Sequence, residues 1–195
     1  GDPLLRENLL RLLTALVLVG LALAALSSPR QAAAEPASPK IVDPPGHILL
    51  KQIRRYKRQT WRWQQLMGTR RTPAGNHTRV KDLTYRVWVR NVWHRRAVRT
   101  WKRAQRPPRR QAWLCIHRYE RNPRQGWRTN TGNGYYGGLQ MDISFQRAHG
   151  RDLLRRKGTA NRWTALEQMW VAERAYRAGR GFYPWPNTAR ACGLI

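Results

Sequence analysis

Acidic residues are what this sequence has least of. Its 195 residues include 10 Asp and Glu against 38 Lys and Arg, giving a formal net charge of +28 and a pI near 11.8. Such an imbalance draws a protein toward polyanions, whether nucleic acid, acidic lipid or an anionic cell-wall polymer, without choosing among them. Cysteine is scarcer still. Cys115 and Cys192 are the whole complement, and their wide separation excludes the ligand spacing of a zinc finger. No metal and no cofactor is expected. Long apolar stretches are confined to one place, residues 12–26.

That single run sets the compartment. Arg6 and Arg11 precede it, Ser27, Ser28 and Pro29 follow, and Ala32, Ala33 and Ala34 supply small residues of the kind a signal peptidase accepts. Charge, apolar core and small residues in that order make a secretory signal. The run is short for a bilayer span, with a retained anchor as the alternative. Residues 1–34 are therefore read as a signal peptide or membrane anchor, and the protein as secreted or cell-wall-associated. Export turns the basic charge away from nucleic acid, which is not expected as a partner. It also places the two cysteines where disulfides persist, so Cys115 and Cys192 are expected to pair.

Residues 35–46 are rich in Pro, Ala and Ser and read as a linker. The next stretch, 47–110, reads as a basic arm. Over 47–111 there are twenty Lys and Arg and one acid, Asp82. Within 80–103, Leu83, Val87, Trp88, Val92, Val98 and Trp101 recur with an imperfect helical period among basic residues. A second basic, aromatic patch, RRYKRQTWRW, occupies 54–63. The arm is expected to be helical or partly disordered. It is read as a separable tether to anionic cell-wall polymers or lipid headgroups, the alternative being a solvated helix whose charge only keeps it soluble. Pro107 and Pro108 then end any helix.

The last segment, 111–195, has few acids to work with. From 113 onward they are Glu120, Asp142, Asp152, Glu167 and Glu173. Trp113, Ile116 and Tyr119 recur at helical spacing, and the helix should stop before Pro123, leaving Glu120 near its C-terminal end. Helices are also expected over 142–150, with Asp142 as N-cap, and over 164–178, with Thr164 and Glu167 forming a capping box. Glu173 reads as exposed or ion-paired. Between the first two helices lies NTGNGYYGGLQ at 130–140, whose glycines suit positive φ and close backbone approach, and whose Asn-Gly pair is also a hairpin signal.

The order Trp113, Cys115, Glu120, Trp127, NTGNGYYGGLQ, LEQMWVAERAYRAGRGFYPWP and Cys192 resembles the catalytic domain of the resuscitation-promoting factors, and more broadly the transglycosylase-like domains related to lysozyme. The likeness covers the chain from about 113 onward and does not extend to the basic arm. It implies an α+β fold, mainly helical and lysozyme-like with a small β-hairpin, behind the signal or anchor helix and the partly helical arm. It also implies a secreted, monomeric enzyme that splits the β-1,4 glycosidic bond of peptidoglycan glycan strands. In such domains one Glu first donates and then accepts a proton, so that either the sugar's C6 hydroxyl or water attacks. Glu120 is the residue that matches.

Trp127, Asn130, Thr131, Asn133, Tyr135, Tyr136 and Gln140 are the expected substrate contacts, with Trp127 and Trp185 open to a core role as well. The sequence departs from the family pattern in two places. IHRY separates Cys115 from Glu120, where the family usually puts Glu directly after the first Cys, and RNPRQG at 121–126 is longer and more basic than usual. Arg118, Arg121 and Arg124 are expected to favour the carboxylate over the acid form of Glu120. The other reading of the same fold is a catalytically silent wall-binding module.

Overall fold

A computed structural model describes residues 45–76 and 79–195. The expected signal or anchor at 1–34 and all but the end of the linker lie outside those residues. Among the described residues no helix is long and apolar enough to cross a membrane.

The basic stretch forms two long helices, α1 (Pro45–Met67) and α2 (Leu83–Ala104). Along α1 the buried positions are Ile53, Lys57, Thr60, Leu66 and Met67, and along α2 they are Val89, Trp93, Ala97 and Ala104. Steps of three, four or seven put all of these but Leu66, which clusters with Trp170, on one stripe per helix, so each helix hides one face against the other, with most of the arginines of the pair exposed. Asp82, the lone acid of the stretch, caps α2 by accepting from the Tyr85 amide at 2.6 Å. Ile53 packs with Val89 and Trp93, and Leu66 and Met67 pack with Ala104, so the helices run parallel. The return segment lies along α1. The Trp61 indole donates to the Thr72 carbonyl at 2.8 Å, and Arg71 sits 3.7 Å from the Trp61 ring.

Five shorter helices follow: α3 (Arg110–Glu120), α4 (Ile143–His149), α5 (Arg151–Lys157), α6 (Ala165–Ala175) and α7 (Pro186–Ala191). The capping box is present, with the Thr164 hydroxyl accepting from the Glu167 amide and the Glu167 carboxylate accepting from the Thr164 amide. Asp142 caps α4 by accepting from the Phe145 amide at 2.7 Å. Beyond α6 the chain continues through a widened turn, Tyr176–Arg180, ending where Gly179 takes φ +87°.

Helix α6 is central. Gln168, Met169, Val171, Ala172, Glu173 and Ala175 are buried in it. Trp113, Ile116, Leu139, Met141, Trp163, Phe182 and Trp185 join Val171 and Ala172 in the main core. Glu173 is fully buried, and its pairing is the ionic one. It accepts from the Arg109 amide and guanidinium at 2.9 and 2.8 Å and from the Trp113 indole at 2.8 Å, which ties the start of α3 to α6. Cys115 and Cys192 are joined in a disulfide with Cα atoms 6.0 Å apart, fastening the chain's end to α3.

The other side of α6 receives the basic helices. Leu166 and Trp170 pack with Leu66, Met67 and Ala104, and the Trp170 indole donates to the Ala104 carbonyl at 2.7 Å. One and two turns further on, Arg174 donates to the carbonyls of Gln65 and Leu66 at 2.6 and 2.7 Å, and Arg177 donates to that of Met67. The last carbonyls of α1, which have no partners within their own helix, are thus satisfied by cations placed at the negative end of its dipole. The described residues from 45 onward belong to one compact unit, so the two basic helices are an integral layer of the domain.

Where a small β-hairpin was expected, the described residues contain no regular strand. Asn130 pairs with Tyr136, and Tyr136 with Met141, as isolated antiparallel bridges. Gly132, Gly134 and Gly137 at φ +79°, +84° and +80°, and Gln140 at φ +47°, turn the backbone too often for an alternating run to develop.

Candidate active site

Glu120 ends α3 beside a cleft of about 320 Å³ whose other lining residues include Asn133, Tyr135, Gln140, Trp185 and Asn187. The carboxyl is half-buried, and burial raises its pKa, offset in part by the hydrogen bond it accepts from Thr188 at 2.9 Å. The three neighbouring arginines do not set this shift. Arg118 and Arg124 are exposed, and Arg121 turns its guanidinium onto the Pro123 carbonyl at 3.2 Å. The influences on the Glu120 carboxyl are burial and the Thr188 hydroxyl, with no arginine among them.

The cleft continues. A second cavity of about 380 Å³ shares Tyr135, Gln140, Pro184 and Trp185 with the first, and adds Asp142, Phe145, His149 and Arg180. Asp142 behaves oppositely to Glu120. Burial raises its pKa, but hydrogen bonds from Phe145 and Ser144 and the charge of Arg180 outweigh that and hold it below the usual carboxylate value. His149 has its pKa lowered by burial and by Arg180 and Arg174. Among the described residues no group of three His, Cys, Asp or Glu side chains converges as a metal site would require.

The expected substrate contacts divide. Asn133, Tyr135 and Gln140 line the Glu120 cleft. Trp127 does not. Its ring stacks on His117 at 3.8 Å between centroids, and it borders a separate cavity with Arg162 and Trp163. Tyr136 packs against the main core. Asn130 and Thr131 are exposed outside the cleft lining, the Asn130 side chain accepting from the Gly132 amide. The close approaches in the loop serve the protein itself. A side chain at Gly138 would meet His117 and Trp127, and one at Gly137 would meet Gln168.

Thr188, Asn187 and Arg180 are site residues absent from the sequence reading. Asn187 and Thr188 follow the WP turn without a motif of their own, while Arg180 lies before it, inside the stretch that ends in WP. Trp185 carried a signal, and its indole donation to the Leu139 carbonyl at 2.6 Å shows why it both buries and borders the cleft.

Comparison with known proteins places the likeness in the same part of the chain. Residues 109–188 match the transglycosylase-like domain family. The chain is 41% identical over 68 residues to resuscitation-promoting factor Rpf1 of Corynebacterium glutamicum, covering 35% of this chain and 34% of that protein. It is 41% identical over 64 residues to resuscitation-promoting factor RpfE of Mycobacterium tuberculosis, covering 33% of this chain and 34% of that protein. The matched region thus spans about a third of the length of these curated relatives. The C-terminal part of the chain carries a transglycosylase-like domain similar to that of the resuscitation-promoting factors.

Proposed function

We propose that this protein cleaves the glycan strand of peptidoglycan at its β-1,4 glycosidic bond, with Glu120 as the single general acid and base. The observation that carries the reading is the contrast between the two carboxylates of the groove. Burial keeps Glu120 protonated to higher pH, while Asp142 is held ionised by its capping bonds. Environments that push neighbouring carboxylates apart assign acid and base roles, and of these two Glu120 is the one biased toward the acid form.

In this scheme the Glu120 proton goes to the glycosidic oxygen as the C1–O bond breaks. The C6 hydroxyl of the same sugar, or a water, then attacks C1 and returns its proton to Glu120. Asn133 and Gln140 offer donors and acceptors to hydroxyl and acetamido groups, and the exposed Tyr135 ring offers a face to a sugar. The protein acts outside the cytoplasm as a monomer. Its basic helices, with Trp88 55% and Trp101 47% exposed, contact anionic wall polymers or lipid headgroups.

Glu120→Gln keeps shape and hydrogen bonding but removes the exchangeable proton. Release of soluble fragments from purified sacculi should fall by about 10²- to 10⁴-fold with an unchanged fold. A variant as active as the parent would sink this assignment. Equal inertness of parent and variant would favour the binding-module reading.

A further inference from the structure

The groove does not stop at Arg180. A third and larger cavity, about 1260 Å³, shares Ser144, Ala148 and His149 with the second. Its walls come from α4 and α5 on one side and from Gln65 and Gly68, at the end of α1, on the other. Three cavities with shared lining residues therefore lead from Glu120 to a concavity that the end of α1 helps to wall.

That far end is cationic. Arg147, Arg151 and Arg155 all border it and all are exposed, and among the described residues none of them takes part in an ion pair. Asp152, the one acid in the lining, is already engaged by Arg156 at 3.2 Å and Arg174 at 3.1 Å. Arg174 in turn is committed to the α1 carbonyls. Arg151 and Arg155 lie one turn apart on α5, where like charges repel without a counter-ion. Guanidinium groups collected around a hollow favour carboxylates, which they can hold through paired N–H donors.

We propose that this cavity is an anion subsite of the same groove, and that Arg147, Arg151 and Arg155 bind the carboxylates of the peptide stems carried by the glycan in the Glu120 cleft. The inference rests on the glycan reading of that cleft. It makes the protein selective for peptide-bearing over naked strands, and it gives the docked helices a part in forming the substrate groove besides any tethering role.

The test is binding, not turnover, using the full chain with Glu120→Gln so that strands are not consumed. Glycan strands bearing stem peptides and the same strands stripped of peptide are titrated in parallel. The peptide-bearing strands should bind more tightly, with the preference shrinking as salt rises. Adding Arg147→Gln, Arg151→Gln and Arg155→Gln together should reduce the ratio of the two affinities about tenfold, the order expected of three exposed ion pairs acting jointly. The matching triple Lys substitution should retain most of it, which separates lost charge from lost structure. Equal affinities for the two strands, or a triple Gln variant with an unchanged ratio, would overturn the subsite alone. Failure to bind either strand would overturn the glycan reading of the cleft together with it.

Discussion

Thr188 donates its hydroxyl to Oε1 of Glu120 at 2.9 Å, across 68 residues of sequence. The disulfide that joins α3 to the residue after α7 holds these two helices together. The Trp185 carbonyl, 3.3 Å from the same Thr188 oxygen, is the more distant competing acceptor for its single proton. The bond favours the ionised carboxyl and works against burial, which favours the acid. Glu120 is tuned by two opposed effects, of which burial is the larger.

Removing the smaller effect has a definite sign. Thr188→Val keeps the volume and deletes the donor, so the Glu120 pKa should rise further. The alkaline limb of the pH profile for kcat/KM, where the acid form is lost, should move to higher pH. Stability gives an independent reading. A folded-state pKa raised above 4.5 contributes stability that is present below 4.5 and lost as pH rises through the folded value. Glu120→Gln should therefore melt higher than the parent at neutral pH, with the advantage disappearing in acid. An advantage that persists unchanged below pH 4.5 would contradict burial as the cause.

Asp142 should behave as a cap. Asp142→Asn retains an oxygen for the Phe145 amide and should cost little in folding or cleavage, whereas Asp142→Ala should lose about 1 kcal/mol of stability. Its depressed pKa contributes stability above the ordinary value of 3.8, lost as pH falls through the lower folded value. Urea titrations at pH 7 and pH 3 would check this. Loss of cleavage in a fully folded Asp142→Asn protein would give Asp142 a chemical role instead.

Much of this was readable from short-range pattern. Helix α6 announces itself through Thr164 and Glu167 three residues apart, and α4 through Asp142, because caps act on amides two or three positions away. Long-range partners leave no such mark. Leu166, Trp170, Arg174 and Arg177 form one stripe along α6 and the turn after it, at helical spacing in plain view, but their partners on α1 and α2 lie 66 to 110 residues earlier. The basic stretch consequently reads as a free arm, although its apolar stripes are completed by each other and by Trp170. Trp127 and Tyr136 have the chemistry of sugar platforms, and only packing reveals that their rings face His117 and the core.

Glu173 should be among the costliest single changes in the domain. Glu173→Ala removes three hydrogen bonds at once and leaves the Trp113 indole and the Arg109 guanidinium without their acceptor. Breaking one partner of a buried pair typically costs about 3–5 kcal/mol. The denaturant midpoint should fall accordingly, with an unchanged m-value. A loss below about 1 kcal/mol would mean that water readily replaces the carboxylate.

The basic helices should prove inseparable from the domain they precede. A protein beginning at residue 105 lacks α1 and α2. Its Trp170, 4% exposed in the full chain, would face water beside Leu166, and Arg174 and Arg177 would lose the carbonyls they cap. Within the full chain Trp170→Ala alone should cost about 3–5 kcal/mol, as large aromatic truncations in cores do. The truncated protein should therefore melt lower than the full chain and bind a hydrophobic dye that the full chain excludes. The comparison also tells a tether from a structural layer. A tether would leave the melting transition of 105–195 where it stands in the full chain and change only envelope retention, whereas a layer takes the transition down with it, at high salt as at low, because the lost contacts are apolar and hydrogen-bonded and are screened far less than exposed charge.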